Sequence, residues 1–464
     1  MTDRALSGRR TGRRRIFFVP LGCPKNQVDG EIMLGGAKAA GHEVVSDPKL
    51  ADVLVVNTCA FIEEAREQSI QTILSLAGMK ERNGGARLIV TGCMAERYAR
   101  ELADAMPEID CLVGTGSLDR FNEALEASGR GSFTGLRHYM PTAGTRRDVD
   151  TTEGWAYLKV SEGCDHDCSF CVIPSFKGRH ESRSVDDVIA EAELLVARGV
   201  VEVNLVAQDL SAYGRDIGEK EGLATLLHRL GRIDGLRRIR CYYLYPSTLS
   251  DAILDAVNDV ESVCPYIDIP LQHADHEVLR LMRRGSDASH LRGLIARVRE
   301  KVDGAVLRSA FIVGFPGETD DAFDRLYDFV GELRFDRIGV FCFSPEDGSS
   351  AAGLPKPVPP ALSRERRDRL LALQESVSYE LLAQQVGVKK QVLVCGKDGT
   401  GAWFGRTDAQ GPEVDGVTWL DGDRSTLRGR IVEARVGGSD AYDLFAMVED
   451  GCREATVDPD GCDN

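Results

Sequence analysis

The stretch Glu162-Gly163-Cys164-Asp165-His166-Asp167-Cys168-Ser169-Phe170-Cys171 follows directly on an apolar run at 156–160. Three thiols within eight residues, on a loop leaving a strand, form a compact soft-ligand set. Thiolates of this kind select zinc, copper(I) or iron-sulfur clusters. A structural zinc site wants four closed ligands, and no second cysteine pair follows nearby. Three thiolates on a four-iron cluster instead leave one iron without a protein ligand, free to bind a small chelating molecule.

Outward from this loop the chain alternates strand-like and helix-like segments. Behind it, apolar runs at 202–206, 239–244, 266–269, 309–313 and 338–343 alternate with amphipathic stretches at 186–197, 223–230, 251–256, 288–302 and 320–333. With 156–160 that makes six strand-helix repeats, too few for a full eight-fold barrel and right for a partial one. Ahead of the loop, runs at 16–21, 53–56 and 88–90 alternate with helical stretches such as 63–76, which implies an open parallel α/β sheet. Beyond 360, a charged helix leads to five short β runs with Gly turns (391–394, 402–406, 416–420, 429–435 and 444–447), the pattern of a small antiparallel, OB-like barrel. The expected domains are a basic disordered tail at 1–14, an N-terminal α/β domain at 15–127, a linker at 128–152 and a partial barrel at 153–360. A connecting helix at 361–386, a small β-barrel at 387–451 and an acidic tail at 452–464 complete the order.

At 464 residues the chain has room for about three domains at roughly 150 residues each. Its 43% hydrophobic and 28% charged residues exclude whole-chain disorder and collagen-like repeats. A formal charge of -16 suits a basic partner better than a polyanion, which needs clustered Lys and Arg. Arg13-Arg14-Arg15-Ile16-Phe17-Phe18 superficially resembles a twin-arginine signal, but the apolar run ends at Leu21 and contains Pro20. That is short of the roughly 7–15 residues an export signal uses, and no segment approaches the ~18 of a membrane span. The expected location is the cytoplasm, where thiols stay reduced.

Thirteen cysteines in so long a chain are not a disulfide framework. Cys23, Cys59 and Cys93 share a position rather than a spacing: each lies just beyond an apolar run of the first third. In an open parallel sheet the ends of those strands line one edge, where ligands bind. The three thiols are therefore expected to converge as a second set. Cys241, Cys342 and Cys395 fall within strand runs and read as core, and Cys111 follows a helix-like segment. Cys264, Cys452 and Cys462 take no role.

The CxxxCxxC loop, with an aromatic residue before its last cysteine and a partial barrel behind it, resembles the radical S-adenosylmethionine superfamily. From about residue 15 to 450 the chain resembles the methylthiotransferase family, whose C-terminal piece is a TRAM domain. The strings Leu21-Gly22-Cys23-Pro24-Lys25-Asn26, Gln208-Asp209-Leu210-Ser211-Ala212-Tyr213-Gly214, Tyr243-Leu244-Tyr245-Pro246-Ser247 and Pro270-Leu271-Gln272-His273-Ala274 are similar to one branch. That branch modifies an aspartate of small-subunit ribosomal protein 12; the other modifies tRNA adenosine. Gly30 departs from the family pattern, where Ser is usual, and is expected to alter a helix start.

The resemblance implies an enzyme with two [4Fe-4S] clusters that replaces an aspartate β C–H by C–S–CH3. One cluster, on Cys164, Cys168 and Cys171, would pass an electron to S-adenosylmethionine and so generate the radical that abstracts the hydrogen. The other, on Cys23, Cys59 and Cys93, would hold the inserted sulfur, methylated by a second S-adenosylmethionine. Such a carbon has no proton that acid-base catalysis could remove at pH 7. Phe170, Arg183, Gln208, Ser309, Ile312 and Val313 are the implied cofactor contacts. A basic ribosomal protein, an electron donor and the ribosome are the implied partners, with no membrane. A non-catalytic iron-sulfur protein that binds RNA or the ribosome is the reading from another class.

No Walker A, HExxH or nucleophile-elbow string is present, and 114–119 lacks the third Gly of a dinucleotide fingerprint. The basic run 364–369 interleaves Glu365 and Asp368 and is expected to be a solvated helix face. From 389 to 450, eight basic residues stand against eleven acidic ones, and the aromatics Trp403, Phe404 and Trp419 lack the positive field an RNA-gripping barrel needs.

Overall fold

The computed structural model describes residues 12–60, 62–82, 85–135 and 139–449. The acidic tail expected at 452–464, with Cys452 and Cys462, lies outside the described residues, as do residues 1–11 of the expected basic tail. Among the described residues no helix is long and apolar enough to cross a membrane.

The first domain is a six-stranded sheet of β1 (Arg15–Pro20), β2 (Glu43–Val44), β3 (Val53–Thr58), β4 (Arg87–Gly92), β5 (Cys111–Val113) and β6 (Gly131–Phe133). The order is β2-β1-β3-β4-β5-β6, and every pairing is parallel. Val53, Leu54, Val55 and Val56 are fully buried because this central strand is covered on both faces. One local expectation changes. Residues 131–133, read as linker, form the edge strand β6, since a three-residue strand is too short for a periodicity signal. Cys111 follows the helix Ala99–Ala105, as expected, and opens β5, buried in the core.

The second domain carries the central six repeats: β7 (Trp155–Lys159), β10 (Glu202–Val206), β11 (Arg238–Cys241), β12 (Val263–Asp268), β13 (Val306–Val313) and β14 (Arg337–Cys342). A small ribbon of β8 (Ser161–Glu162) and β9 (Glu181–Ser182) brackets the cysteine loop. The parallel order β14-β13-β12-β11-β10-β7 forms the expected partial barrel. Its helices start on cleanly built caps: Ser184, Ser250, Asp287 and Thr319 each accept from a backbone N–H of the first turn. Alternate residues of β13 divide between two faces. Leu307, Ser309, Phe311 and Val313 are buried, while Arg308, Ala310 and Ile312 remain partly open.

The helix Pro360–Ala383 crosses to the third domain, a closed barrel of β15 (Lys389–Lys397), β16 (Trp403–Arg406), β17 (Thr418–Leu420), β18 (Ile431–Ser439) and β19 (Leu444–Val448). Four of its pairings are antiparallel, but β17 and β19 run parallel, a departure from the expected all-antiparallel barrel. The basic run on the crossing helix is not wholly a solvated face. Arg366 is buried and donates to Glu318 at 2.7 Å, pinning the helix to the central barrel.

The third domain docks through one buried carboxylate. Glu202 opens β10 and meets Arg406 at 2.8 Å, Arg238 at 3.7 Å and Arg240 at 3.9 Å. Arg238 and Arg240 also donate across the interface to the carbonyls of Arg406, Gln391 and Asp408. Burial pushes the Glu202 carboxyl up, but the three guanidinium groups overcome it and hold its pKa down to about 2. A depressed carboxylate stabilises the fold above its ordinary value of 4.5, and that stabilisation is lost as pH falls through about 2. Glu202→Gln strands three buried cations and should cost about 3–5 kcal/mol. Hydrogen exchange across β15–β19 should quicken in that variant at neutral pH, and in the parent protein on acidification between those two values.

Candidate functional site

Cys23, Cys59 and Cys93 leave the carboxyl ends of β1, β3 and β4, which are neighbours in the sheet. Cys23 is the N-cap of the helix Pro24–Ala39 in extended geometry, with Pro24 in the first turn and no cap bond to its side chain. Cys93 opens the next helix, Cys93–Arg97. The Cβ of Cys59 stands 3.3 Å from where a side chain on Gly22 would begin. Burial raises the Cys93 thiol pKa, countered most by Lys177 and reinforced by Cys23 and Cys59. The three thiols therefore gather at one sheet edge. Buried Asn26 ties their loops together: its Nδ2 donates to Thr58 O at 2.8 Å and its Oδ1 accepts from Cys93 Sγ at 3.3 Å.

Gly30 lies inside the Pro24–Ala39 helix rather than at its start, and a Cβ there would come 3.1 Å from the Phe18 ring. Close packing against β1, not capping, accounts for the small residue.

The second triplet occupies the loop after β8. Gly163 has φ +79°, and a side chain there would run into the Arg179 carbonyl, so the loop turns where only glycine fits. Burial pushes the Cys164 thiol up to about 11 and Cys171 up to about 12. Each of these thiols also feels the charge of Cys168. Among the described residues no group of three or more His, Cys, Asp or Glu side chains is arranged to hold a single metal ion. The donor chemistry fits an anionic cluster at both triplets: three soft sulfurs in each, with Lys177 acting on Cys93 and Arg284 donating to Cys168.

Between the two triplets lies a buried chain of charges that the sequence did not reveal. Lys159, at the end of β7, bonds Asp29 of the first domain and Glu162 of β8, the latter at 2.9 Å. Lys177, on the short helix after Cys171, meets Glu162 at 3.4 Å and Asp29 at 3.6 Å. Two cations and two anions balance. Burial pushes the Glu162 carboxyl up, but Lys159 and Lys177 hold it well below the carboxylate range. Lys25 adds a further tether, donating to Ala207 O at 3.3 Å and lying 3.6 Å over the Tyr243 ring. The first triplet thus faces the mouth of the central barrel.

The expected cofactor contacts separate by geometry. Phe170 and Ile312 meet in one apolar cluster with Phe315 and Phe343 beside the second triplet. Gln208 donates to Glu162 and keeps a buried Oε1 without a hydrogen-bond partner. The others point elsewhere. Arg183 spends its donors on Asp187, Glu191 and the Lys159 carbonyl. Ser309 donates to Ile269 O at 2.9 Å, and Val313 lies in the core on the helix-covered face. A one-residue change of parity along a strand reverses the face, which is why Ser309 and Val313 part from Ile312.

Family models match three segments: Uncharacterized protein family UPF0004 at residues 15–114, the Radical SAM superfamily at 158–330 and a TRAM domain at 386–448. A relative from Anaeromyxobacter sp. (strain Fw109-5), named Ribosomal protein uS12 methylthiotransferase RimO, is 44% identical over 437 residues, 94% of this chain and 93% of that one. One of the same name from Geotalea uraniireducens (strain Rf4) is 41% identical, covering 94% and 98%. The chain belongs to the RimO family. Among solved structures, the radical S-adenosylmethionine methyltransferase TsrM from Kitasatospora setae, with cobalamin and a [4Fe-4S] cluster bound, superposes with TM-score 0.51 at 16% identity. It covers 71% of this chain and 72% of its own, a likeness of fold. In this RimO-family chain the barrel and the N-terminal sheet present their cysteine loops to each other across the Asp29–Lys159–Glu162–Lys177 chain.

That chain makes a separable prediction. Lys159→Met leaves Asp29 and Glu162 sharing the single charge of Lys177 and should cost about 3–5 kcal/mol. Adding Asp29→Leu leaves Glu162 and Lys177 as a balanced pair and should recover most of the loss. Chemical denaturation of the two variants beside the parent protein measures both effects.

Proposed function

We infer that this protein is a radical S-adenosylmethionine methylthiotransferase that adds a methylthio group to an aspartate β-carbon of small-subunit ribosomal protein uS12. The observation that carries the reading is the pair of cysteine triplets facing each other across one buried charge network. Cys164, Cys168 and Cys171 hold one [4Fe-4S] cluster, and Cys23, Cys59 and Cys93 a second. When bound, the clusters and S-adenosylmethionine supply the electron, the hydrogen abstraction, the sulfur and the methyl group.

The chain's own residues position and enclose. Phe170 and Ile312 offer an apolar wall to the cofactor's adenosine. Gln208, whose Oε1 is buried without a hydrogen-bond partner, would help hold the cofactor by accepting from its ammonium group. Lys177 holds positive charge beside Cys93. The reducing electron comes from an external donor.

A cleft of about 610 Å3 supports the protein substrate. Gly22, Cys23, Phe18 and Trp155 line it together with Glu31, Asp148, Asp150, Glu153 and Glu413, with no basic residue. Arg147, Lys38 and Arg428 pair with Glu31, Asp148 and Glu153. Among the described residues Asp150 and Glu413 make no ion pair. Hydrogen bonds from Thr152 keep the Asp150 carboxyl below its usual range, so it is charged at neutral pH. A negative cleft with Cys23 in its lining fits a basic polypeptide segment and opposes a nucleic acid.

Anaerobic reconstitution followed by mass spectrometry of uS12 tests the reading. One methylthio group in place of one hydrogen is expected; modification of tRNA with uS12 unchanged would overturn it. Cys59→Ala should abolish methylthiolation while sparing some cofactor cleavage, whereas Cys168→Ala should abolish both. Equal loss of cleavage in the two variants would refute separate roles for the triplets. Asp150→Lys with Glu413→Lys should lower kcat/KM for uS12 about tenfold, roughly 1.4 kcal/mol of transition-state binding. Cofactor cleavage without uS12 should stay unchanged in that double variant.

A further inference from the structure

Cys168 is the most enclosed thiol of its triplet, and two donors from separate elements reach it. The Tyr245 hydroxyl stands 3.7 Å from Cys168 Sγ, and Arg284 Nη1 stands 3.7 Å from the same sulfur. The Arg284 guanidinium lies 4.0 Å from the Tyr245 ring centroid. The His166 ring stacks on that phenol at 3.6 Å and 8°. One ring face cannot hold both groups at these separations, so Tyr245 is sandwiched between His166 and Arg284.

Each layer is anchored. His166 Nε2 pairs with buried Asp209 at 2.7 Å, and Ser211 and Thr248 donate to the same carboxylate at 2.6 and 3.1 Å. The Tyr245 N–H donates to Ser211 Oγ at 2.8 Å. Arg284 donates through Nη2 to Pro270 O. The backbone is bent to deliver this arginine. Arg283 takes φ +57° at the end of the helix His276–Leu281, a left-handed conformation that costs a non-glycine residue about 1–2 kcal/mol. The cysteine loop grips the same helix end, with Ser169 donating from N to Met282 O at 3.1 Å and from Oγ to Leu281 O at 2.7 Å.

We propose that Tyr245 and Arg284, clamped by His166, are positioning residues that raise the reduction potential of the cluster on Cys164, Cys168 and Cys171 by donating to the Cys168 sulfur and holding positive charge beside it. The inference rests on the reading that these three thiols carry that cluster. Potentials of iron-sulfur clusters follow net charge, hydrogen bonds to sulfur and exposure. Reduction adds one negative charge, which a nearby cation and two donors stabilise more than they stabilise the oxidised state. The stack thereby eases delivery of the electron on which the radical chemistry depends.

Electron paramagnetic resonance at controlled solution potentials, read on the signal that shifts when S-adenosylmethionine is added, tests this in the reconstituted full-length enzyme. Arg284→Met should lower the ratio of reduced to oxidised cluster about tenfold at a fixed potential, a shift of about 59 mV for one electron. Tyr245→Phe keeps the ring and loses one oxygen; it should shift the potential the same way by less. Arg284→Lys, which keeps the charge, should recover part of the loss. Unchanged potentials in fully loaded Arg284→Met and Tyr245→Phe proteins would overturn the proposal. Should Arg284→Met take up less iron, an unchanged potential in Tyr245→Phe overturns it alone. A Cys168→Ala protein that still shows the cofactor-responsive signal would instead overturn the underlying ligand assignment.

Discussion

The buried chain Asp29–Lys159–Glu162–Lys177 is the constraint on which the rest of the molecule depends. Four charges leave water together, and their desolvation offsets much of their mutual attraction, so such a network adds little net stability. It contributes a unique register. Asp29 belongs to the first domain, while Lys159, Glu162 and Lys177 flank the cysteine loop of the second. Any slip of one domain over the other would strand an ion in a dry interface. The two cysteine triplets are thereby kept in one relation, with Lys177 placed to act on the first and rooted just after the second.

A second buried ion cluster performs a similar task at the far ends of the barrel strands. Glu202 and its three arginines hold the C-terminal barrel against the opening residues of β10 and β11. The loop that follows β16 then reaches back beneath the central barrel. Tyr157 and Tyr266 donate to Glu413 and Asp415 of that loop, at 3.1 and 2.6 Å. Docking this domain therefore completes one wall of the acidic cleft that Cys23 lines. Architecture and substrate charge are linked through the same interface.

The gathering of Cys23, Cys59 and Cys93 was legible before any coordinates. Cys23, Cys59 and Cys93 could be grouped because each followed an apolar run, and parallel sheets gather their strand ends. Phe170 was singled out for its place inside the loop, and it packs against an apolar cluster there. The surroundings of Arg183, Ser309 and Val313 were not legible for a common reason: the face of a strand, or the partner of a guanidinium, depends on what packs against it. Arg183 found Asp187 and Glu191, and Ser309 found the carbonyl of Ile269. Lys159, Lys177 and the partners of Asn26 gave no distinguishing local signal, because a single polar residue does not declare what it will meet.

The amino-acid order by itself determined the alternation of strands and helices, the six cysteines at loop positions and the excess of acid over base. These are local or summed properties, set by periodicity, short-range sterics and composition. Tertiary structure alone decided which charges met: Asp29 with Lys159 across 130 residues, Arg284 with Cys168 across 116, and Arg406 with Glu202 across 204. Hydrogen bonds and ion pairs act over a few ångströms, so their partners are chosen by how the domains pack.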